Sequence, residues 1–165
     1  CMDLQELSER SGINRRKLRY VLDNNLVPGL KIEIADSEIG RPRKFNWDVG
    51  FVIVCAAHLL VAGLSHDSIR LFLKGLVGLT IGKRSLLKCL FERHSDLSGS
   101  GPVQSYARWG DGVNMRVTFE ALNFDTKWQV PSNPARLDSN YEPMVEIVLN
   151  LGQILDQVAP SNQNP

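Results

Sequence analysis

Apolar positions in the first two dozen residues recur every three to four places and are interrupted once, at Ser11-Gly12-Ile13-Asn14. That pattern predicts two short amphipathic helices joined by a tight turn, a helix-turn-helix. Asp3, with Glu6 three places later, forms a capping box for the first helix, Leu4, Leu7 and Ile13 share one side, and Gly12 is its stop. Asn14 caps the second helix, Arg15 to Asp23, in which Leu18, Val21 and Leu22 cluster at about 100° per residue. Arg16 and Tyr20 fall on the opposite side, flanked by Lys17 and Arg19.

The period then changes. After Pro28-Gly29, Leu30 to Ile34 alternates apolar and charged residues as a half-exposed strand does, and Arg41 to Phe45 returns as its partner, a two-stranded ribbon with a basic edge. Asn46 caps a third helix to about Val61, and Gly63-Leu64-Ser65 breaks it. Ser65 caps a fourth helix carrying Ile69, Leu71, Phe72 and Leu73, which closes near Gly75. Thr80 is the expected cap of a fifth helix, Lys83 to about Leu97, striped by Leu86, Leu87, Leu90 and Phe91. Ser98-Gly-Ser-Gly-Pro102 ends it. Strands are expected at Val103–Trp109 and Val113–Ala121 about a Gly110-Asp-Gly112 turn, with a shorter one at Lys127–Val130. A last helix is expected from Glu142 to about Val158. The fold class is therefore α+β: an N-terminal winged helix-turn-helix domain over residues 1–76, then a helix, a small antiparallel β-sheet and a C-terminal helix over 77–165 as a dimerisation or effector domain.

Composition narrows the function classes. With 43% hydrophobic and 22% charged residues, the chain is neither disordered, collagen-like nor disulfide-stapled. A net charge of +1 selects no partner, but residues 1–75 hold 11 basic and 9 acidic side chains, and Arg10, Arg15, Arg16, Lys17 and Arg19 crowd one stretch free of acids. Cys1 ahead of Met2 reads as a vector-derived residue. The most apolar stretch, Phe51 to Ala62, is too short for a bilayer, which takes ~20 residues, so no membrane partner is expected. Three cysteines make no disulfide framework, and a cytoplasmic location follows.

Candidate chemistry is sparse. Cys55 and His58 stand at i, i+3, a spacing that can hold a metal, but they sit in an apolar stretch without a second pair, so they read as structural and no metal or cofactor is assigned. His66 and His94, near helix ends, read as solvated or capping residues. Tyr106, Trp109, Phe119, Phe124, Trp128 and Tyr141 either fill the core of the sheet or line a small-molecule pocket, the first being preferred. No nucleophile–base pair, paired carboxylates or phosphate-binding glycine loop stands out, and no enzyme is expected.

The N-terminal segments resemble the MerR-type winged-helix family of DNA-binding regulators. The likeness rests on Leu4-Gln-Glu-Leu7, Ser11-Gly-Ile-Asn-Arg-Arg-Lys-Leu-Arg-Tyr20, Asn25-Leu-Val-Pro28, Gly40-Arg-Pro-Arg-Lys-Phe45 and Leu60-Val-Ala-Gly-Leu-Ser65, and covers about residues 3–75. It implies a recognition helix at about 14–24 in the major groove, with DNA contacts from Arg15, Arg16, Lys17, Arg19 and Tyr20, and a basic wing at 41–44 contributing Arg41, Arg43 and Lys44 to the backbone. The chain departs from the family in having Val21 where a second aromatic is usual, a long wing segment, and a fifth helix that stops at Ser98 instead of forming a long dimer helix. The expected function is a sequence-specific transcriptional regulator of double-stranded DNA acting as a homodimer, with a small-molecule or protein effector bound through the C-terminal half. The alternative is a protein–protein interaction module on a winged-helix scaffold with little or no DNA binding.

Overall fold

The computed structural model describes residues 1–29, 44–97, 103–109, 115–121 and 145–159 of the 165-residue chain. The architecture is α+β and mostly helical. A two-residue strand β1 (Met2–Asp3) leads into α1 (Leu4–Ser11), where Asp3 Oδ1 accepts from the backbone N–H groups of Gln5 and Glu6 at 2.8 and 2.9 Å. Glu6 does not complete the expected capping box. Its carboxylate pairs at 3.0 Å with Arg10, one turn along the same face.

Gly12 ends α1 with φ +69°, a left-handed conformation that glycine adopts at little cost. Residues 12–14 form the turn, tightened by Ser8 Oγ donating to Ile13 O at 2.7 Å. α2 (Arg15–Asp23) opens on Asn14, whose Oδ1 accepts from Arg16 N at 2.8 Å. α2 buries Leu18, Val21 and Leu22, the stripe its period predicts.

Most of the expected ribbon, residues 30–43, lies outside the described residues. Its last two positions form β2 (Lys44–Phe45), antiparallel to β1, with Met2 opposite Phe45 and Asp3 opposite Lys44. Met2 is buried over the first turn of α3 (Trp47–Val61). A methyl group on Gly50 would stand 2.8 Å from Met2 Sδ, so glycine there permits the close approach.

α3 is buried on nearly all sides, from Gly50 to Ala57 and again at Leu59. A helix apolar all round belongs in the middle of a bundle, and α3 borders α2, α5 (Leu86–Leu97), α6 (Leu151–Val158) and α4 (His66–Gly78). Ser65 caps α4 as expected, its Oγ accepting from Ser68 N at 3.2 Å, and α4 runs past Gly75 to Gly78. No helix among the described residues is long and apolar enough to cross a membrane.

Two expected elements are corrected. Thr80 does not cap the fifth helix: β3 (Thr80–Ile81) and β4 (Arg84–Ser85) form a hairpin around Gly82, whose φ of +61° suits a two-residue loop, and α5 begins only at Leu86. The single C-terminal helix over residues 142–158 is instead β7 (Val145–Asn150) followed by α6. Val145, Ile147 and Val148 are β-branched, and β7 gains a full antiparallel ladder with β5 (Val103–Trp109), from Gln104–Asn150 to Trp109–Val145. Asn150 marks the switch, its Oδ1 accepting from Gln153 N at 3.1 Å to cap α6. β6 (Met115–Ala121) lies on the other side of β5, giving the sheet order β6-β5-β7. The strand expected at 127–130 lies outside the described residues.

Helices from both sides of residue 76 share one apolar cluster, in which Leu7, Leu18, Phe51, Phe72, Leu86 and Leu155 are fully buried. Arg10 closes one seam of it. Its Nη1 donates to Ala159 O, just beyond α6, at 3.1 Å, and its guanidinium lies 4.9 Å from the centre of the Trp47 ring.

His58, on α3, is half-buried, and desolvation lowers its imidazole pKa below the ordinary 6.5. The unfolded chain thus binds a proton at this position more readily than the folded one, so stability is complete above the unfolded pKa and declines as pH falls through it. Melting curves from pH 7.5 to 5.5 are expected to show the Tm falling with acidity, and His58→Gln is expected to flatten that fall. Equal slopes for the two proteins would remove His58 from the pH dependence.

Candidate nucleic-acid interface

α2 presents two unlike faces because its sequence keeps apolar residues on one and cations on the other. Leu18, Val21 and Leu22 pack toward α1 and α3, while Arg15, Arg16, Lys17, Arg19 and Tyr20 are all exposed. Arg16, Arg19, Tyr20 and Asp23 follow one another at i, i+3, i+4 and i+7, so they share a stripe. Among the described residues, none of the four cations has a side-chain hydrogen bond or ion pair, and their charge is free for an external anion. Asp23, exposed at the C-terminal end of the stripe, is a feature the sequence reading missed: it confines the cationic surface to the first two turns.

Two side chains of α4 hold this face in position. Tyr20 Oη lies 3.2 Å from His66 Nε2, and the rings meet edge to face with centroids 5.7 Å apart. One turn further along α4, Arg70 donates from Nη2 to Asn24 O at 2.9 Å and from Nε to Asn25 O at 3.2 Å, satisfying carbonyls at the end of α2. Asp67 orients the same guanidinium through Nη1 at 2.9 Å. Asn25, with φ +50°, turns the chain so that these carbonyls face α4. His66 was expected to be solvated or capping and Arg70 was not singled out. Their i, i+4 spacing, two polar rings and forks on one side of a helix that buries Ile69, Leu73 and Leu76 on another, is the signal that marks them.

The predicted wing residues are less informative. Lys44 is exposed on β2, opposite Asp3, while Arg41 and Arg43 lie outside the described residues. Cys55 and Cys89 are both buried, and desolvation raises both thiols above their usual pKa, which disfavours the nucleophilic and metal-binding thiolate. The side chains of the six C-terminal aromatics lie outside the described residues. No protein family, curated protein or solved structure matches the chain.

Proposed function

We propose that the protein is a sequence-specific regulator that binds double-stranded DNA as a homodimer, with α2 in the major groove. The observation that carries this reading is the exposed cationic stripe of α2, backed by a buried apolar stripe and latched at its far end by His66 and Arg70. A helix is the element a major groove admits, and exposed arginines are the side chains that pair with phosphate oxygens and guanine edges. In this reading Arg16 and Tyr20 face bases, Arg15, Lys17 and Arg19 neutralise phosphates, and Arg41, Arg43 and Lys44 flank the backbone, as in the MerR-type regulators that the sequence resembles.

The direct test is selection of bound duplexes from a random pool, followed by the mass of the complex. A two-fold symmetric site with two protomers is the expected result. Within that framework Lys44→Ala is expected to weaken binding to selected and random duplexes alike and to flatten the slope of log K against log salt by about 0.9 per protomer. Arg16→Ala is expected to cost about 1–3 kcal/mol on the selected site and to relax base preference. Unchanged discrimination in Arg16→Ala would remove it from the base-reading role.

A protein-docking module is the second reading, favoured by Leu71 and Val77, which leave 56% and 42% of their surface exposed on α4. Elution from heparin at low salt, with no duplex shifted, selects this reading over the first.

A further inference from the structure

A cleft of about 270 Å³ opens where the last turns of α3 meet β7 and α6. Leu59, Leu149 and Ile154 give it apolar walls, and Val148, also in the lining, leaves 47% of its surface to water. Among the described residues its polar lining consists of His58 and three amides, Asn150, Gln153 and Gln157, with no carboxylate, ammonium or guanidinium. Asn150 Oδ1 is engaged in capping α6. Gln157 differs: its Oε1 is shielded from water and has no hydrogen-bond partner among the described residues, a condition that folded proteins leave uncompensated in few places. Gln157 is one of the residues lining the cleft, and the terminal torsion of a glutamine is soft, so its amide can reorient against a bound donor.

We propose that the cleft is a binding site for a small uncharged molecule with a compact apolar body and an N–H or O–H group that donates to Gln157. The walls supply the apolar contact, and an ionic ligand would lose its hydration without a countercharge to replace it. His58, whose burial favours the neutral imidazole, offers a second donor or acceptor instead of a charge. The site joins α3, which borders the recognition helix, to the C-terminal sheet, so a ligand there ties the two halves of the chain together.

The test uses the whole 165-residue chain, 15N-labelled, and two probes of one shape: indole, which carries a ring N–H, and benzothiophene, which has sulfur in its place. Indole is expected to shift the backbone amides of His58 to Ala62 and of residues 147–157 saturably, and to bind about tenfold more tightly than benzothiophene. Gln157→Leu is expected to abolish that preference while keeping the apolar contact. Ala62 lines the cleft yet is exposed, so Ala62→Phe fills the site without disturbing the core and is expected to block both probes. The proposal is overturned if indole leaves these amides unmoved up to its solubility, if the two probes bind the native protein equally, or if Gln157→Leu retains the preference for indole.

Discussion

Replacing Arg15, Arg16, Lys17 and Arg19 together by glutamine is expected to weaken binding to a selected duplex by more than about 10³-fold at physiological salt, because the proposed reading gives each protomer three phosphate contacts and one base contact at these positions. The slope of log K against log salt should flatten by about 2.7 per protomer, at about 0.9 for each phosphate no longer neutralised. The fold should be unaffected. All four side chains are exposed, and glutamine is nearly as good a helix former as arginine or lysine. Exposed substitutions of this kind usually change stability by no more than about 0.5 kcal/mol each. The measurement is fluorescence anisotropy over a salt series, with far-UV circular dichroism and Tm as controls. A folded quadruple variant with native affinity and native salt slope would sink the assignment of α2 as the DNA-contacting helix.

The second large effect is on stability. Phe51 is fully buried in the second turn of α3, and its ring meets Phe91 of α5 edge to face, with centroids 5.8 Å apart. Phe51→Ala removes that contact and leaves a cavity at the helix that borders α2, α4, α5 and α6, and is expected to cost about 3–5 kcal/mol. Phe51→Leu keeps most of the volume and is expected to cost under half as much. Urea titrations of the three proteins check this. A loss below about 1 kcal/mol for the alanine variant would mean that this interior is not closely packed.

Both predictions rest on elements that the chain announces locally. The caps Asp3, Asn14 and Ser65 are short polar side chains ahead of apolar periods, and each bonds a backbone N–H within three residues. Gly12 is legible as a helix stop because its left-handed φ is a property of the residue itself. The buried stripe of α2 follows from its period, and the exposure of the cations opposite follows from that stripe.

Where the reading of the sequence departs from the structure, a distant partner decided. Residues 145–158 carry enough apolar residues for a helix, yet the first six become β7 because β5, some forty residues earlier in the chain, provides a ladder for them. Thr80 is an adequate helix cap in isolation, but Arg84 and Ser85 lie across a glycine turn and pair with Thr80 and Ile81. Glu6 forgoes the capping box for Arg10, whose guanidinium is also held by Trp47 and by the carbonyl of Ala159.

The amino-acid order alone thus determined the two short helices α1 and α2, their caps, and the face of α2 that is cationic, since each depends on neighbours within one or two turns. Only the tertiary structure decided that His66 and Arg70 hold that face in place, that the C-terminal segment divides into strand and helix, and that the seam between α3, β7 and α6 leaves a cleft beside Gln157. Those outcomes depend on groups brought together across long stretches of chain, and a one-dimensional period carries no record of such pairings.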